Sequence, residues 1–275
     1  MRIKNLLKKY NLRAKKSLGQ HFLVDKNILD KIIKAAELSK KDVVLEVGAG
    51  LGTLTKELSQ RAKKVIAVEI DRKMAEILRE TLKNVENVEI VEGDILKLNP
   101  KSEILISKQI QNSKFKIVAN IPYQITSPLL EKFLTGRNKP KEMVLLVQKE
   151  VAEKICCRPP QMNRLGIFVQ FYGKPEIIAK VSKNCFWPKP VVDSAILKIS
   201  EISTKRDKQE KLFFDLVRKG FSQKRKQLKN IFDQQILKKA GILPKKRAET
   251  LSINQWLKIY NTLKEKNVHE PGSPE

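Results

Sequence analysis

Asn120-Ile121-Pro122-Tyr123 puts an amide, a rigid proline and an aromatic ring within four consecutive residues. The amide offers a donor and an acceptor, the proline fixes the backbone around its carbonyl, and the ring is a flat stacking face. That set suits a planar base carrying an exocyclic amine. The tetrapeptide ends the apolar run Phe115-Lys116-Ile117-Val118-Ala119, which is short and β-rich and reads as a buried strand. Pro122 stops the ladder because it has no N–H to donate. In an open α/β sheet, the segment just after such a strand end faces the ligand crevice. Taken alone, the four residues read equally well as a strand-to-helix turn with an Asx-type cap, so the rest of the chain decides.

Three other strand ends carry residues of the same kind. Asp42 to Val47 reads as a buried strand running into Gly48-Ala49-Gly50-Leu51-Gly52, with a helix from Thr53 to Ala62. Strand, glycine turn and helix make the first βα unit of a nucleotide-binding sheet, and the glycines Gly48 and Gly50 let the backbone approach a ligand that a Cβ would exclude. The spacing is G-x-G-x-G, and Thr53 stands where a dinucleotide fingerprint has its third glycine. A non-phosphorylated nucleoside therefore fits better than a pyrophosphate. The second strand, Val65 to Asp71, ends on acids. An acid here can accept hydrogen bonds from both ribose hydroxyls; Glu69 is assigned that role, and Asp71 the cap of a helix from Arg72 to Leu82. The third strand, Val88 to Val91, leads to Gly93-Asp94, which places Asp94 to accept an amine from a bound adenine. One aspartate in a turn would be structural; acids and glycines at three successive strand ends weigh toward a site.

The remaining elements must hold these ends together. Lys16 to Asp25 is a loop leading into a helix, with Asp25 as N-cap and Ile28, Leu29, Ile32, Ile33 and Ala36 at helical spacing. His21, by itself, is a loop histidine. Asn99 to Lys114 reads as a polar surface insertion. Thr126 to Leu134 is a helix with Pro128 in its first turn, Met143 to Val147 a fifth strand and Gln148 to Ile155 a helix. The pattern breaks at Arg158 to Asn163, and an apolar segment runs from Arg164 to Tyr172. Glu176 to Val181 and Ser194 to Ile199 form a final strand pair around a proline-stiffened loop. That loop either holds Phe186 or Trp187 outward as a stacking wall or buries both in the core. Strands cease near Lys205. Apolar residues from Phe213 to Tyr260 then suggest a small helical domain. Its basic runs are Ser222 to Asn230 and Lys245-Lys246-Arg247, read as RNA-backbone contacts rather than a solvated face. The expected organisation is a catalytic domain over 1–204 with a basic arm over 1–16, a helical RNA-contacting domain over 205–268, and a disordered tail over 269–275.

Composition narrows the partners. The chain has 275 residues, with Lys+Arg 56 against Asp+Glu 30 and a net charge of +26. An excess of that size points to a polyanion. No long basic amphipathic helix with aromatics on one face stands out, which disfavours a membrane surface, and no apolar run approaches a membrane span. RNA or DNA is favoured. The N-terminus lacks the features of a secretory signal, so a cytoplasmic location is expected. Cys156, Cys157 and Cys185 lack zinc-site spacing and read as reduced thiols, and with only His21 and His269 present no metal centre is expected.

Taken together, these stretches resemble the ribosomal RNA adenine dimethyltransferase family over nearly the whole chain. The resemblance rests on Ser17-Leu18-Gly19-Gln20-His21-Phe22-Leu23, the Val44 to Gly52 turn, Asn120-Ile121-Pro122-Tyr123, Phe186 to Ser194, and Phe221-Ser222-Gln223-Lys224-Arg225-Lys226. It implies a class I, Rossmann-like methyltransferase fold: a seven-stranded α/β sheet with a small helical C-terminal domain. It implies S-adenosylmethionine contacts at His21, Leu23, Gly48, Glu69, Asp94 and Asn120, with Gly50 beside them in the turn. Position 21 is often asparagine in the family, and position 121 commonly leucine. Orientation of the adenine amine falls to Asn120 and the carbonyl near Pro122, and stacking on the base to Tyr123 and Phe186. The RNA grip falls to Lys224, Arg225, Lys226 and Lys229. Bacterial members dimethylate two adjacent adenines near the 3′ end of 16S RNA, so the implied partner is small-subunit ribosomal RNA in a pre-30S particle, and a monomer is expected. A large-subunit methyltransferase of the antibiotic-resistance type shares the glycine turn and the Asn-x-Pro-aromatic motif. A non-catalytic assembly factor on the same fold is the other alternative, against which intact Glu69, Asp94 and Asn120 argue. The charge argues against a small-molecule methyltransferase.

Overall fold

The computed structural model describes residues 10, 14–97, 115–203, 210–223 and 225–269. Most of the expected basic arm, all of the 99–114 insertion, Lys224 and all but the first residue of the 269–275 tail lie outside the described residues. The chain divides into two units, 1–152 with 173–203 and 153–172 with 204–275.

In chain order the elements are β1 (Phe22–Leu23), α1 (Lys26–Ala36), β2 (Val43–Val47), α2 (Thr53–Ser59), β3 (Lys64–Glu69), α3 (Arg72–Thr81), β4 (Val88–Glu92), β5 (Phe115–Asn120), α4 (Thr126–Thr135), β6 (Glu142–Gln148), α5 (Lys149–Ile155), α6 (Arg164–Tyr172), β7 (Lys174–Val181), β8 (Phe186–Trp187), β9 (Ser194–Ser200), α7 (Glu210–Gly220), α8 (Gln234–Lys239) and α9 (Ile253–His269). Seven strands of the first unit form one sheet in the order β4-β3-β2-β5-β6-β9-β7. Neighbours from β4 to β6 are parallel, and β9 pairs antiparallel with both β6 and β7. Every residue of β2 is buried, as a strand covered on both faces requires.

The chain winds outward from β2 through β3 to β4, then returns to β5 on the other side of β2. The order therefore reverses between β2 and β5. Ligands bind beyond the carboxyl ends of the strands at such a switch point, and here those ends carry Gly48 and Asn120.

Local chemistry accounts for the helix starts. Asp25 accepts from the Asn27 and Ile28 N–H groups at 2.8 and 3.2 Å, and Asp71 from Lys73 at 3.1 Å, both as expected of N-caps. Helix α1 buries Ile28, Leu29, Ile32, Ile33 and Ala36 in a core shared with Val44, Val118, Val144 and Ile196. One pairing had no local signal. Phe22 and Leu23 form a two-stranded antiparallel sheet with Trp187 and Phe186.

The second unit has its own core, built on Phe213, Leu237, Leu251, Trp256, Ile259 and Tyr260. Residues 164–172, expected with the sheet domain, belong here. Helix α6 contributes Ile167 to that core, and Phe171 stacks on Phe213 with ring centroids 4.5 Å apart. An apolar helix packs where its rings find partners, irrespective of its place between two strands.

Candidate active site

The glycine turn after β2 is fixed from β3. Gly48 N–H donates to the Val68 carbonyl at 2.8 Å, and Ala49 to the same oxygen at 3.3 Å. Gly48 and Gly50 have φ of 74° and 55°, a left-handed region that costs a side-chain-bearing residue stability. A Cβ on Gly48 would lie 3.5 Å from the Pro122 ring. The ends of β2 and β5 thus meet, and Pro122 closes over the turn.

Glu69 ends β3 with 4% exposure. Its Oε2 accepts from Gly50 N–H at 2.7 Å and its Oε1 from Asp71 N–H at 2.9 Å. Burial raises its pKa against the pull of those bonds. The carboxyl is held in one orientation, and each oxygen keeps a second lone pair for a ligand hydroxyl. Asp71, by contrast, caps α3. Its own burial would raise its pKa, but Lys15 at 2.8 Å and Gln20 at 3.2 Å outweigh that and lower it. Ile70 lies between the two acids and is 48% exposed, an apolar face that sequence reasoning passed over because its two neighbours carry charge.

On the β5 side the Asn120 amide donates from Nδ2 to the His21 carbonyl at 3.1 Å. That bond commits the NH₂ end and leaves Oδ1 as a fixed acceptor. His21 is anchored in turn by Nδ1, 2.7 Å from the Pro188 carbonyl, and its ring lies near-parallel to that of Tyr123, centroids 6.0 Å apart at 22°. The half-buried Tyr123 hydroxyl lies 2.7 Å from Ser194 Oγ, a group that is fully buried. The Pro122 carbonyl already accepts from Ile125 N–H at 3.1 Å, closing a tight turn.

His21, Leu23, Gly48, Gly50, Glu69, Asn120, Pro122 and Tyr123 line one cavity of about 90 Å³. The structure brings these eight expected residues together. Asp94 does not line it: its Oδ1 accepts from Leu96 N–H at 2.9 Å, and its strand end reaches the site through Gly93 N–H on the Glu69 carbonyl at 2.9 Å. Phe186 is a correction. It is 4% exposed and packs in the α1 core with Leu23 and Ile28, because pairing of β8 with β1 turns its ring inward. Trp187 packs on Phe22, Leu51 and Met74. Arg225, Lys226 and Lys229 are exposed residues of the second unit.

The cavity also has a wall residue that sequence reasoning missed. Glu46, in β2, is 1% exposed. Burial pushes its carboxyl up to about 8, with Thr55 pulling it down and Glu69 pushing it further up. Its Oε2 has no hydrogen-bond partner among the described residues. The available signal was an acid inside an otherwise apolar strand, just before the glycine turn.

A parallel sheet reversing at β2 and β5, with a glycine turn and a buried acid at neighbouring strand ends, defines a class I methyltransferase fold. Residues 11–265 match the ribosomal RNA adenine dimethylase family. The chain belongs to that family of S-adenosylmethionine-dependent enzymes. It is 44% identical over 268 residues to the ribosomal RNA small subunit methyltransferase A of Dehalococcoides mccartyi, covering 93% of this chain and 90% of the relative. It is 41% identical over 273 residues to the protein of that name from Clostridium botulinum, covering 94% and 97%. Among solved structures it is similar to a dimethyladenosine transferase from Plasmodium falciparum (31% identity, TM-score 0.76, covering 88% of this chain and 97% of that one). It is also similar to the 23S rRNA methyltransferase ErmE (28% identity, TM-score 0.73, covering 88% and 99%). Among the described residues no helix is long and apolar enough to cross a membrane.

Proposed function

We propose that the protein dimethylates N6 of two adjacent adenines in the 3′-terminal hairpin of small-subunit ribosomal RNA, acting as a cytoplasmic monomer on a pre-30S particle. The observation that carries this reading is the Asn120 amide, locked by its bond to the His21 carbonyl in the wall of a cavity that also presents Tyr123. The adenine N6 lone pair is delocalised into the ring and is a poor nucleophile. Asn120 Oδ1 accepts one N6–H and so orients the amine. A second acceptor comes from the backbone beside Pro122; the Ile121 carbonyl is the better candidate, since Pro122 already closes a turn. Tyr123 holds the base by stacking, worth ~1–3 kcal/mol. The base reaches the cavity by leaving its loop stack.

When bound, S-adenosylmethionine supplies an electrophilic methyl group on a sulfonium. The residues present fit it. Glu69 accepts from the ribose hydroxyls, the left-handed Gly48–Gly50 backbone admits a ligand where a Cβ would intrude, and His21 and Leu23 close the wall. Holding the two reactants in line supplies much of the rate without a strong base.

The RNA backbone is gripped by the second unit. Two basic runs are joined there by main-chain bonds, Leu228 N–H to the Lys246 carbonyl at 2.8 Å and Lys229 N–H to the Pro244 carbonyl at 2.9 Å. These bonds set Leu228 and Lys229 beside Lys246 and Pro244, so the two exposed basic runs are neighbours. The large-subunit alternative rests on the likeness to ErmE at 28% identity; the relatives at 41–44% favour the small subunit. Primer extension across both ribosomal RNAs after incubation with immature subunits tests the proposal. Two adjacent stops in the small-subunit 3′ hairpin are expected, and stops confined to large-subunit RNA would overturn it.

A further inference from the structure

We propose that Val191 is an apolar wedge that enters the RNA loop as the target adenine leaves it, taking the place of the extruded base against its former neighbour. The inference rests on the reading, given above, that the base leaves its loop stack, and adds the residue that fills the gap. Val191 is 90% exposed, the most exposed of the large hydrophobic side chains among the described residues. One apolar side chain in water is ordinary by itself; what marks this one is how it is mounted. It is the middle residue of the segment Pro188 to Ser194, and both ends of that segment stand on the cavity wall. The Pro188 carbonyl is 2.7 Å from His21 Nδ1, and Ser194 Oγ is 2.7 Å from the Tyr123 hydroxyl. His21 and Tyr123 both line the cavity. Three residues of extended chain span at most about 11 Å, so the backbone of Val191 stays within that distance of either end.

The mounting is stiff. Lys183 Nζ donates to the Val191 carbonyl at 3.3 Å, Lys183 N–H to Asp193 Oδ1 at 2.9 Å, and Lys149 N–H to the Asp193 carbonyl at 3.0 Å. Pro188 and Pro190 each fix φ, and Pro190 is buried. A side chain held out by its own backbone loses little further freedom on binding. The surroundings select RNA as the occupant. Lys183 and Lys189 flank the tip and suit the phosphates on either side of a gap, while the nearby Asp193 has an oxygen committed to Lys183 N–H. The nucleotides flanking an extruded base lie at the mouth of the pocket that takes it, which is where a tip mounted on His21 and Tyr123 stands. Proteins that open a base step fill it with apolar side chains. Phe186, expected on this loop as a stacking face, is turned inward, so the loop offers the RNA an aliphatic tip. Such a tip fills a gap rather than holding a base. Tyr123 retains the adenine, and Val191 keeps the vacancy from closing behind it.

The test pairs fluorescence with single-turnover methylation, both on the full chain. A small-subunit 3′ hairpin RNA carries 2-aminopurine beside the two target adenines, and its emission rises when stacking is lost. With S-adenosylhomocysteine present, the parent protein should raise that emission. Val191→Ala should lose most of the rise. It should also slow methylation of immature subunits about 10-fold, the order expected for two methyl groups removed from an apolar contact. Affinity for the particle and for S-adenosylhomocysteine should stay nearly unchanged. Val191→Ile keeps an aliphatic wedge and should recover most of both signals. The side chain stands in solvent, so neither substitution disturbs the core. Parent-like emission and rate in Val191→Ala would overturn the proposal. So would a loss of particle affinity that matches the loss of rate while the emission rise persists, which would make the tip a plain RNA contact. Methylation by the parent without any emission rise would instead remove the reading that the base leaves its stack, and the wedge with it.

Discussion

At the amino ends of β5 and β6, Lys116 is 5% exposed, yet its Nζ donates to the Ala36 and Glu37 carbonyls at 2.7 and 3.0 Å. Asp42 and Glu142 each lie 3.9 Å from it. Lys198 joins from β9, 2.8 Å from Glu37 and 3.4 Å from Glu142. At the carboxyl end of β2 the comparably buried Glu46 has an oxygen with no partner among the described residues. Both edges place ionisable groups under helices of the same sheet. One edge sets its carboxylates against two cations, which also take the orphan carbonyls of a helix end, where the dipole favours them. The other edge leaves its acid without a cation among the described lining residues. Buried carboxylates set beside cations hold a fold in register, whereas a buried acid facing a cavity without one is free to meet a ligand.

The largest effect should come from breaking the complete edge. Lys116→Met removes the cation 3.9 Å from both Asp42 and Glu142 and leaves Glu142 only Lys198, and loss of one member of a buried pair costs about 3–5 kcal/mol. Urea denaturation should show that loss, while the cofactor affinity of the folded fraction stays unchanged. A stability within about 1 kcal/mol of the parent would erase the contrast between the edges.

At the open edge the effect should fall on rate. Asn120→Ala removes the fixed acceptor, and misplacement of a reacting group costs about 10²-fold. Single-turnover methylation should drop by that order with RNA affinity nearly intact. A comparable drop in RNA affinity would make Asn120 a binding residue only.

Tyr123 grades the same edge more finely. Tyr123→Ala removes the stacking face and should cost ~1–3 kcal/mol in productive binding. Tyr123→Phe keeps the face but loses the bond to Ser194, a change of roughly 0.5–1.5 kcal/mol. Ser194→Ala should then match Tyr123→Phe in turnover. Equal damage from Tyr123→Phe and Tyr123→Ala would give the hydroxyl a role beyond orienting the ring.

The last effect is a slope. The carboxyl of Glu46 stays protonated in the fold up to about pH 8, whereas in the unfolded chain it ionises near pH ~4.3. Between those values the native state holds one more proton, so stability falls as pH rises and levels off above about 8. Urea midpoints of the unliganded protein at pH 5.5, 7 and 8.5 should decline relative to those of Glu46→Gln. Parallel midpoints would mean that Glu46 is already ionised in the empty site.

Much of this could be read from the chain alone because it is local. Apolar runs became β2, β3, β5 and β6 to within a residue or two, Asp25 and Asp71 capped the helices next to them, and the glycines took the left-handed φ that only glycine adopts cheaply. Glu69 and Asn120 could be placed by position, since a strand end in a parallel sheet faces the crevice whatever lies elsewhere. Tertiary structure decided the rest, wherever a side chain's role depends on a partner far along the chain. Phe186 went into the core because Leu23 pairs with it from 163 residues away. Helix α6 left the sheet unit for the aromatic core around Phe213. The orientation of Asn120 depends on the His21 carbonyl, and that of Tyr123 on Ser194. Glu46 drew no notice as part of a buried strand, and only the fold puts it in one cavity wall with Leu29, Leu54 and the glycine turn. Burial and the absence of a partner are properties of three-dimensional surroundings, which residue type and spacing cannot encode one segment at a time.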